Sequence, residues 1–456
     1  MTPSTASQRP TDQRPSTSES TDSAESARPS SRFARLPALA GKGFIPLGLF
    51  ARLPLAMLTV GALTLITSVS GSYATGGMAA GAVGIGSALG APVIGALADR
   101  LGQRPVLLFA AVFNALAVLA VVFAAYTIPG VDDFGAAAPV FAAAVIAGAS
   151  CPQVGPLARV RWMALTSQGS RDNKSTDLDT ALSYESTADE LTFVLGPALV
   201  GILASLIAPW LPLAFAAALT ITLVPAFAVH RTHSAVVPSA RRRRSSHSVA
   251  APGGQGAGGA GTGRGRVGAF AAVALPVLAM VCMGTFFGSM QTALSAFSAG
   301  FATSEVAGLL YAVMGLSSAA TALSVAFWPR RFGVTSRWMA SAALMAGLSL
   351  LLLLPSSVLP MILVLLVLGL PVGPVMVTVF AIGGLVAPAG RLGTVMTALA
   401  SGIVAGTALG SSVAGQLAQS QGYSKALLVP VCAATVLFLL GAAAVVVRQL
   451  RRRTAA

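Results

Sequence analysis

Charge is what this chain has least of: 9% of its 456 residues are Asp, Glu, Lys or Arg, against about a quarter in soluble domains. Lysine is nearly absent (Lys42, Lys174, Lys425), which together with abundant Ala, Gly and Arg points to a GC-rich bacterial gene. The histidines, His230, His233 and His247, lie close together in one polar stretch, so none is left in the apolar remainder for a proton relay. Cys151, Cys282 and Cys432 all fall within apolar runs, and neither a disulfide framework nor a cysteine metal cluster is readable. A phosphate-cradling glycine loop and a nucleophile with a base at useful spacing are also missing, so nothing points to an enzyme, a metal or a bound cofactor. Residues 1–40 are rich in Ser, Thr, Pro and Arg and have no apolar segment after a basic start. They read as a disordered tail without a cleavable signal peptide.

What remains is apolar: 55% of the residues are hydrophobic, with a mean hydropathy of +0.79. A membrane-crossing helix needs roughly 20 apolar residues, and the chain supplies about twelve such runs. The expected fold is an all-α integral membrane protein. Its spans are expected near residues 47–69, 74–97, 106–125, 139–162, from about 181 to the turn APWLP, from that turn to about 229, and 269–298, 303–328, 336–355, 358–385, 392–419 and 426–447. They fall into two six-helix bundles, 45–230 and 269–448, joined by a flexible linker at 231–268 that carries RRRR and a Gly-rich run. A basic tail follows at 449–456.

The net charge of +15 would suggest nucleic acid in a soluble protein. With the N-terminus inside, however, every Lys and Arg except Lys425 lies in or beside an inner segment. That is the positive-inside pattern, so both termini are expected in the cytoplasm and the partner is the lipid bilayer rather than nucleic acid. Asp132 and Asp133 then lie in an outer loop. Arg52 is expected to snorkel to the inner interface, and the glycines of span 2 (Gly77, Gly81, Gly84, Gly86, Gly90) to allow close packing with neighbouring helices.

The two halves echo each other. ADRLGQR after span 2 recurs after span 8 as PRRFGVTSR, with Arg330 where the first copy has Asp99. Pro152, Gly155 and Pro156 of span 4 match Pro371, Gly373 and Pro374 of span 10, and Gly196 and Gly201 of span 5 match Gly410 and Gly415 of span 11. The charges do not repeat: Asp189 and Glu190 correspond to Ile403 and Val404. The matching residues therefore read as architecture, and the charges as function added to one half.

Span 5 carries three carboxylates, Glu185, Asp189 and Glu190, within an otherwise apolar helix. Ionised groups at membrane depth cost several kcal/mol and usually face a cavity or bundle interior. At 100° per residue Glu185, Asp189, Thr192 and Gly196 share a face, and Glu190, Ser183, Pro197 and Gly201 share another. Glu185 lies one turn into the helix and could equally be interfacial or paired with the basic inner loop. Arg159 and Arg161 of span 4 are about 200° apart, so at most one can meet a given acid while the other reaches headgroups or cytoplasm. Asp189 is the expected partner of Arg159, leaving Glu190 to titrate. Tyr184, Gln153, Asn114, Gln291, Thr292 and Tyr311 could orient a ligand, Asn114 and Gln291 equally serving as interhelical bonds.

The segment Gly95-Ala-Leu-Ala-Asp99-Arg100-Leu-Gly102-Gln103-Arg104 resembles the loop signature of the major facilitator superfamily, with Gln103 where that family usually has a basic residue. The resemblance implies twelve helices, alternating access, and a conformational switch built on Gly95, Asp99, Arg100, Gly102 and Arg104, with Asp99 near the start of span 11. Gly196-Pro197-Ala-Leu-Val-Gly201 is similar to a span 5 packing motif of proton-coupled drug exporters, with Val200 in place of Gly. The exporters' arginine motif differs here, the glycines preceding Arg159 and Arg161. GPLARVRW followed by YESTADELTFVLGP is similar to a group of actinobacterial permeases.

These readings together predict a monomeric permease of a bacterial plasma membrane that exports a small amphiphilic organic molecule and is driven by the proton gradient. Glu185, Asp189, Glu190, Arg159 and Arg161 are its candidate coupling residues. An uptake permease or uniporter for a metabolite, and a transport-inactive membrane sensor, are the alternatives.

Overall fold

The computed structural model describes residues 29–128, 135–167, 174–239, 263–300, 305–329 and 331–453. Among these, every regular element is helical. Twelve helices are long and apolar enough to cross a membrane: Phe44–Ser70, Thr75–Leu101, Gln103–Thr127, Ala138–Ser167, Lys174–Leu206, Leu211–Val229, Ala272–Ser298, Gly308–Phe327, Val334–Leu353, Val358–Val386, Leu392–Gln421 and Tyr423–Ala443. They are spans 1 to 12. Large apolar side chains such as Phe109, Phe123, Leu316 and Leu354 are exposed on the outer surface, the arrangement expected where lipid is the solvent.

The two halves repeat one packing scheme. Spans 1 and 5, 2 and 4, and 3 and 6 pack together in the first half, as do 7 and 11, 8 and 10, and 9 and 12 in the second. Glycine sets the closest approaches. A Cβ on Gly86 or Gly90 of span 2 would run into the carbonyls of Val145 and Ala149 in span 4. In the second half, Gly369 and Gly373 of span 10 meet the Met314 and Ser318 carbonyls of span 8 in the same way. Lipid tails are as apolar as leucine, so association rests on such backbone contact, and any side chain there would force the helices apart. Gly77, Gly81 and Gly84 differ from expectation: nothing lies within 4 Å of where their Cβ would be.

Two spans in the first half are interrupted. Span 1 consists of Phe44–Phe50 and Leu53–Ser70, with Ala51 and Arg52 in a turn ahead of Pro54. Span 4 consists of Ala138–Ala149 and Val154–Ser167, broken at Ser150–Gln153 around Pro152. Proline lacks the N–H that the helix ladder requires, so both breaks sit where the backbone bonds lapse.

The halves meet through spans 2 and 11 and through spans 5 and 8. Their closest contacts cluster at one end, the basic face that carries the loop between spans 2 and 3. There Arg337 at the start of span 9 donates to Asp179 at the start of span 5, at 3.1 Å. Thr187 of span 5 donates to the Ala319 carbonyl of span 8 at 3.2 Å. A Cβ on Gly95 would collide with Thr397 Oγ1 and lie 2.7 Å from the Gly393 carbonyl oxygen. This face is closed.

Two expectations for polar segments are corrected. The tail assigned to 1–40 ends in a helix, Pro29–Ala40. Leu36 and Ala40 of that helix are buried, Phe33 packs edge-on against Phe327, Arg32 donates to the Ala326 carbonyl at 2.6 Å, and Arg35 pairs with Asp177 at 3.3 Å. Its apolar residues recur at helical spacing, so the segment folds once it has both halves to cover. The linker begins ordered as well: Arg231–Ala235 forms a 3-10 turn, and Ser239 donates to the Asp99 carbonyl at 3.0 Å. The last helix runs on to Arg453, into the segment read as a tail. The RRRR run, His247, Asp132, Asp133 and Arg330 lie outside the described residues.

Candidate functional site

The break in span 1 turns Arg52 into the bundle. Only 4% of Arg52 is exposed, which corrects the expected snorkelling to the interface. Its Nη2 meets Glu185 Oε2 at 2.6 Å, its Nη1 meets Asp189 Oδ1 at 2.7 Å, and its Nε donates to the Gly48 carbonyl at 2.9 Å. A guanidinium can be buried only when its donors find such partners. Glu185 is likewise buried and is neither interfacial nor paired with the inner loop. Its second oxygen accepts from Trp162 Nε1 at 2.8 Å. Asp189 Oδ2 accepts from Arg159 Nη2 at 2.6 Å. Arg52, Glu185, Asp189 and Arg159 thus form one net-neutral chain linking spans 1, 5 and 4. Glu185 and Asp189, four residues apart on one face, can share the single arginine.

Arg159 also crosses to the other half. Its guanidinium lies 3.8 Å from the ring centroid of Phe380 in span 10, a cation–π contact. Glu190 faces away from the arginines and has no cationic partner among the described residues. It accepts from Ser318 of span 8 at 2.9 Å, in the seam between the halves.

Arg161 does not belong with these acids and does not reach headgroups. Fully buried, it donates to Gln103 Oε1 at 2.8 Å, to the Phe227 carbonyl at 2.8 Å and to Thr232 Oγ1 at 3.0 Å. The Phe227 carbonyl is at the C-terminal end of span 6, where the helix dipole favours a cation. The contact also accounts for Gln103: a basic residue at that position would face Arg161.

In the signature loop, Asp99 caps the start of span 11. Gly393 N donates to Oδ1 at 2.8 Å, and Thr394 N and Oγ1 both donate to Oδ2 at 2.7 Å. A carboxylate at a helix N-terminus takes up orphan N–H groups and meets the positive end of the dipole. Gly102 has a φ of +99°, which permits the turn into span 3. Arg100 and Arg104 are exposed and stand apart from this contact. Asp99→Asn replaces an acceptor with an amide that cannot accept from both backbone donors. Charge-assisted bonds contribute about 1.5–3 kcal/mol, so the closed-to-open ratio of the basic face should fall about ten- to a hundredfold. Spin-label distances between sites introduced at Arg104 and Arg391 would record it. An unchanged distribution would remove Asp99 from the switch.

A cavity lies where the network meets the second half, lined among others by Arg52, Gln153, Arg159, Asp189, Phe380 and Ser401. Of the six polar residues proposed from sequence, only Gln153 is among its lining residues. Tyr184 donates to the Ile45 carbonyl, Asn114 bonds the Ala147 carbonyl and Ser150, and Thr292 bonds its own helix. Ser87, Thr192 and Ser401 also line it, as do Ile403 and Val404, the apolar counterparts of Asp189 and Glu190. Sequence reasoning missed Arg52 as a site residue, although an arginine two residues before a proline inside an apolar run was its signal. Gly196 packs onto Ala56 of span 1. Gly201 is exposed, with nothing within 4 Å of its Cβ position.

The sequence profile of the Major Facilitator Superfamily matches residues 44–402. No curated protein matches by sequence. Among solved structures, the human organic anion transporter MFSD10 is 20% identical, with 90% of this chain and 99% of that chain covered and a TM-score of 0.60. FucP, a transporter of this superfamily in the outward conformation, is 15% identical over 87% of this chain and 97% of its own, with a TM-score of 0.56. A bacterial homologue of the iron transporter ferroportin, in an outward-facing state, is 14% identical over 87% of this chain and 97% of its own, with a TM-score of 0.60. At these identities the likeness is one of fold. With the profile covering most of the chain, the twelve helices in two repeated halves and the signature loop docked on span 11 assign the sequence to a transporter family: this chain belongs to the Major Facilitator Superfamily.

Proposed function

We propose that this protein is a proton-coupled exporter of a small amphiphilic organic compound in a bacterial plasma membrane, with its basic face cytoplasmic. The observation that carries the reading is the contrast within span 5. Asp189 and Glu185 are neutralised by arginines, whereas Glu190 is 6% exposed and its hydrogen-bond partner among the described residues is a hydroxyl of the opposite half. A neutral carboxyl suits that dry seam and an ionised one suits water. Parting of spans 5 and 8 on the basic face would hydrate Glu190 and release its proton to the cytoplasm. Bound substrate would then let the basic face reclose, and Glu190 would take its next proton from outside once the cavity opens on that side. Substrate bound on the open basic side would then leave on the other, giving antiport by alternating access.

Reconstituted Glu190→Gln should hold the seam permanently in its neutral form. Substrate counterflow without a gradient should continue, while movement driven by a pH gradient should fall at least tenfold, read with a trapped pH dye and a panel of labelled amphiphiles. Undiminished gradient-driven movement in Glu190→Gln would remove this residue as the coupling group.

A further inference from the structure

Among the described residues lining the cavity, the buried donors without a hydrogen-bond partner both belong to Arg159. Both oxygens of Asp189 are taken, Oδ1 by Arg52 and Oδ2 by Arg159. The lining hydroxyls of Thr192 and Ser401 donate to carbonyls of their own helices, at 2.5 and 2.9 Å. Arg159, by contrast, spends one nitrogen on Asp189 and leaves Nε and Nη1 without a hydrogen-bond partner among the described residues, although the residue is fully buried. A buried guanidinium with idle donors is costly unless something supplies acceptors. The protein also leaves room for that supply. Gly155 lines the cavity, and a Cβ there would come 3.2 Å from Asp189 Oδ1 and 3.7 Å from Arg159 Nη1. A side chain at this position would occupy the approach to the idle nitrogen. The walls beyond are apolar: Leu55, Ala56, Phe193, Phe380, Ile403 and Val404.

We propose that Arg159 receives the carboxylate of an amphiphilic monocarboxylic acid, and that organic monoanions are the substrate class. This rests on reading the protein as a transporter of small amphiphiles. Gly155 leaves the approach open, Phe380 holds the guanidinium plane from the other half, and the apolar walls take the body of the acid. A carboxylate at Nη1 competes with Asp189 for the same cation, so binding loosens the bond between spans 4 and 5. A cationic substrate meets an Asp189 already neutralised by two arginines and is disfavoured.

The test is ligand-dependent thermal melting of the purified full chain with benzoate, phenylacetate and hexanoate, each compared with its amide and with the corresponding primary amine. The acids should raise the melting temperature in a saturable way, and the amides and amines should not. Arg159→Gln should raise the apparent Kd for the acids at least tenfold. Gly155→Val removes no charge and fills the approach, so it should do the same, with its melting without ligand measured alongside. No shift with any acid, equal shifts with the amides, larger shifts with the amines, or acid shifts unchanged in Gly155→Val would each overturn the proposal. Melting is independent of coupling. Acid binding without pH-driven movement would leave the ligand class standing and remove the proton mechanism, and the reverse result would remove the ligand class alone.

Discussion

Arg52→Gln should be the most damaging single substitution in the charged network. Glu185 would keep only the Trp162 N–H, and Asp189 would keep only Arg159, leaving one buried negative charge uncompensated. Breaking a buried ion pair by removing one partner costs about 3–5 kcal/mol, a large share of the stability of a typical fold. The variant should express poorly and elute largely as aggregate, and its surviving fraction should melt well below the wild type. The charge argument makes a sharper statement about the double variant. Arg52→Gln with Glu185→Gln removes both members of the pair, and replacing both partners is close to neutral. The double variant should therefore recover most of the monodisperse fraction lost in the single one. A single variant that melts like the wild type, or a double variant no better than the single, would show that the network contributes little to folding.

Gly95→Val should act on conformation and leave folding intact. Its side chain would fall on Thr397 Oγ1 and against the Gly393 carbonyl, 2.7 Å from the Cβ position. The obstacle includes backbone of span 11, so a rotamer change cannot relieve it. Overpacking of this kind costs about 1–3 kcal/mol. It applies only while the basic face is closed, because span 11 belongs to the other half and moves away on opening. The population should shift toward the open state by roughly tenfold to a hundredfold. With labels at positions 104 and 391, in a background lacking Cys151, Cys282 and Cys432, a longer distance should dominate. Transport should fall while expression and melting stay near wild type. A distance distribution matching the wild type would mean that spans 2 and 11 part in the same proportion despite the added bulk, and the closed face would then not depend on this contact.

The residues show where sequence reasoning reached and where it stopped. Gly95 and Asp99 were legible through the resemblance of their short segment to a family signature, which needs only a local run of residues. Helical geometry set Asp189 and Glu190 about 100° apart, so unequal roles were legible, but which of them meets Arg159 depends on how spans 4 and 5 pack. Arg52 escaped because an arginine near the end of a span ordinarily snorkels, and its inward turn depends on a helix break whose depth only neighbouring spans reveal. Arg161 escaped for a related reason. Its acceptors, Gln103, the Phe227 carbonyl and Thr232, come from two other stretches of chain, 58 to 71 positions away.

The amino-acid sequence by itself determined that this is a twelve-span membrane protein, that its two halves repeat, and that three carboxylates lie within one span of the first half. Hydropathy, helical period and charge bias are properties of short windows and need no tertiary information. Only the folded structure decided that Glu185 and Asp189 share Arg52, that Glu190 faces Ser318 across the seam, and that Arg159 keeps two idle donors. Those facts depend on which helices become neighbours. Helix contacts in a membrane are selected by the fit of small residues against backbone, and that fit is a property of the whole bundle rather than of any one segment.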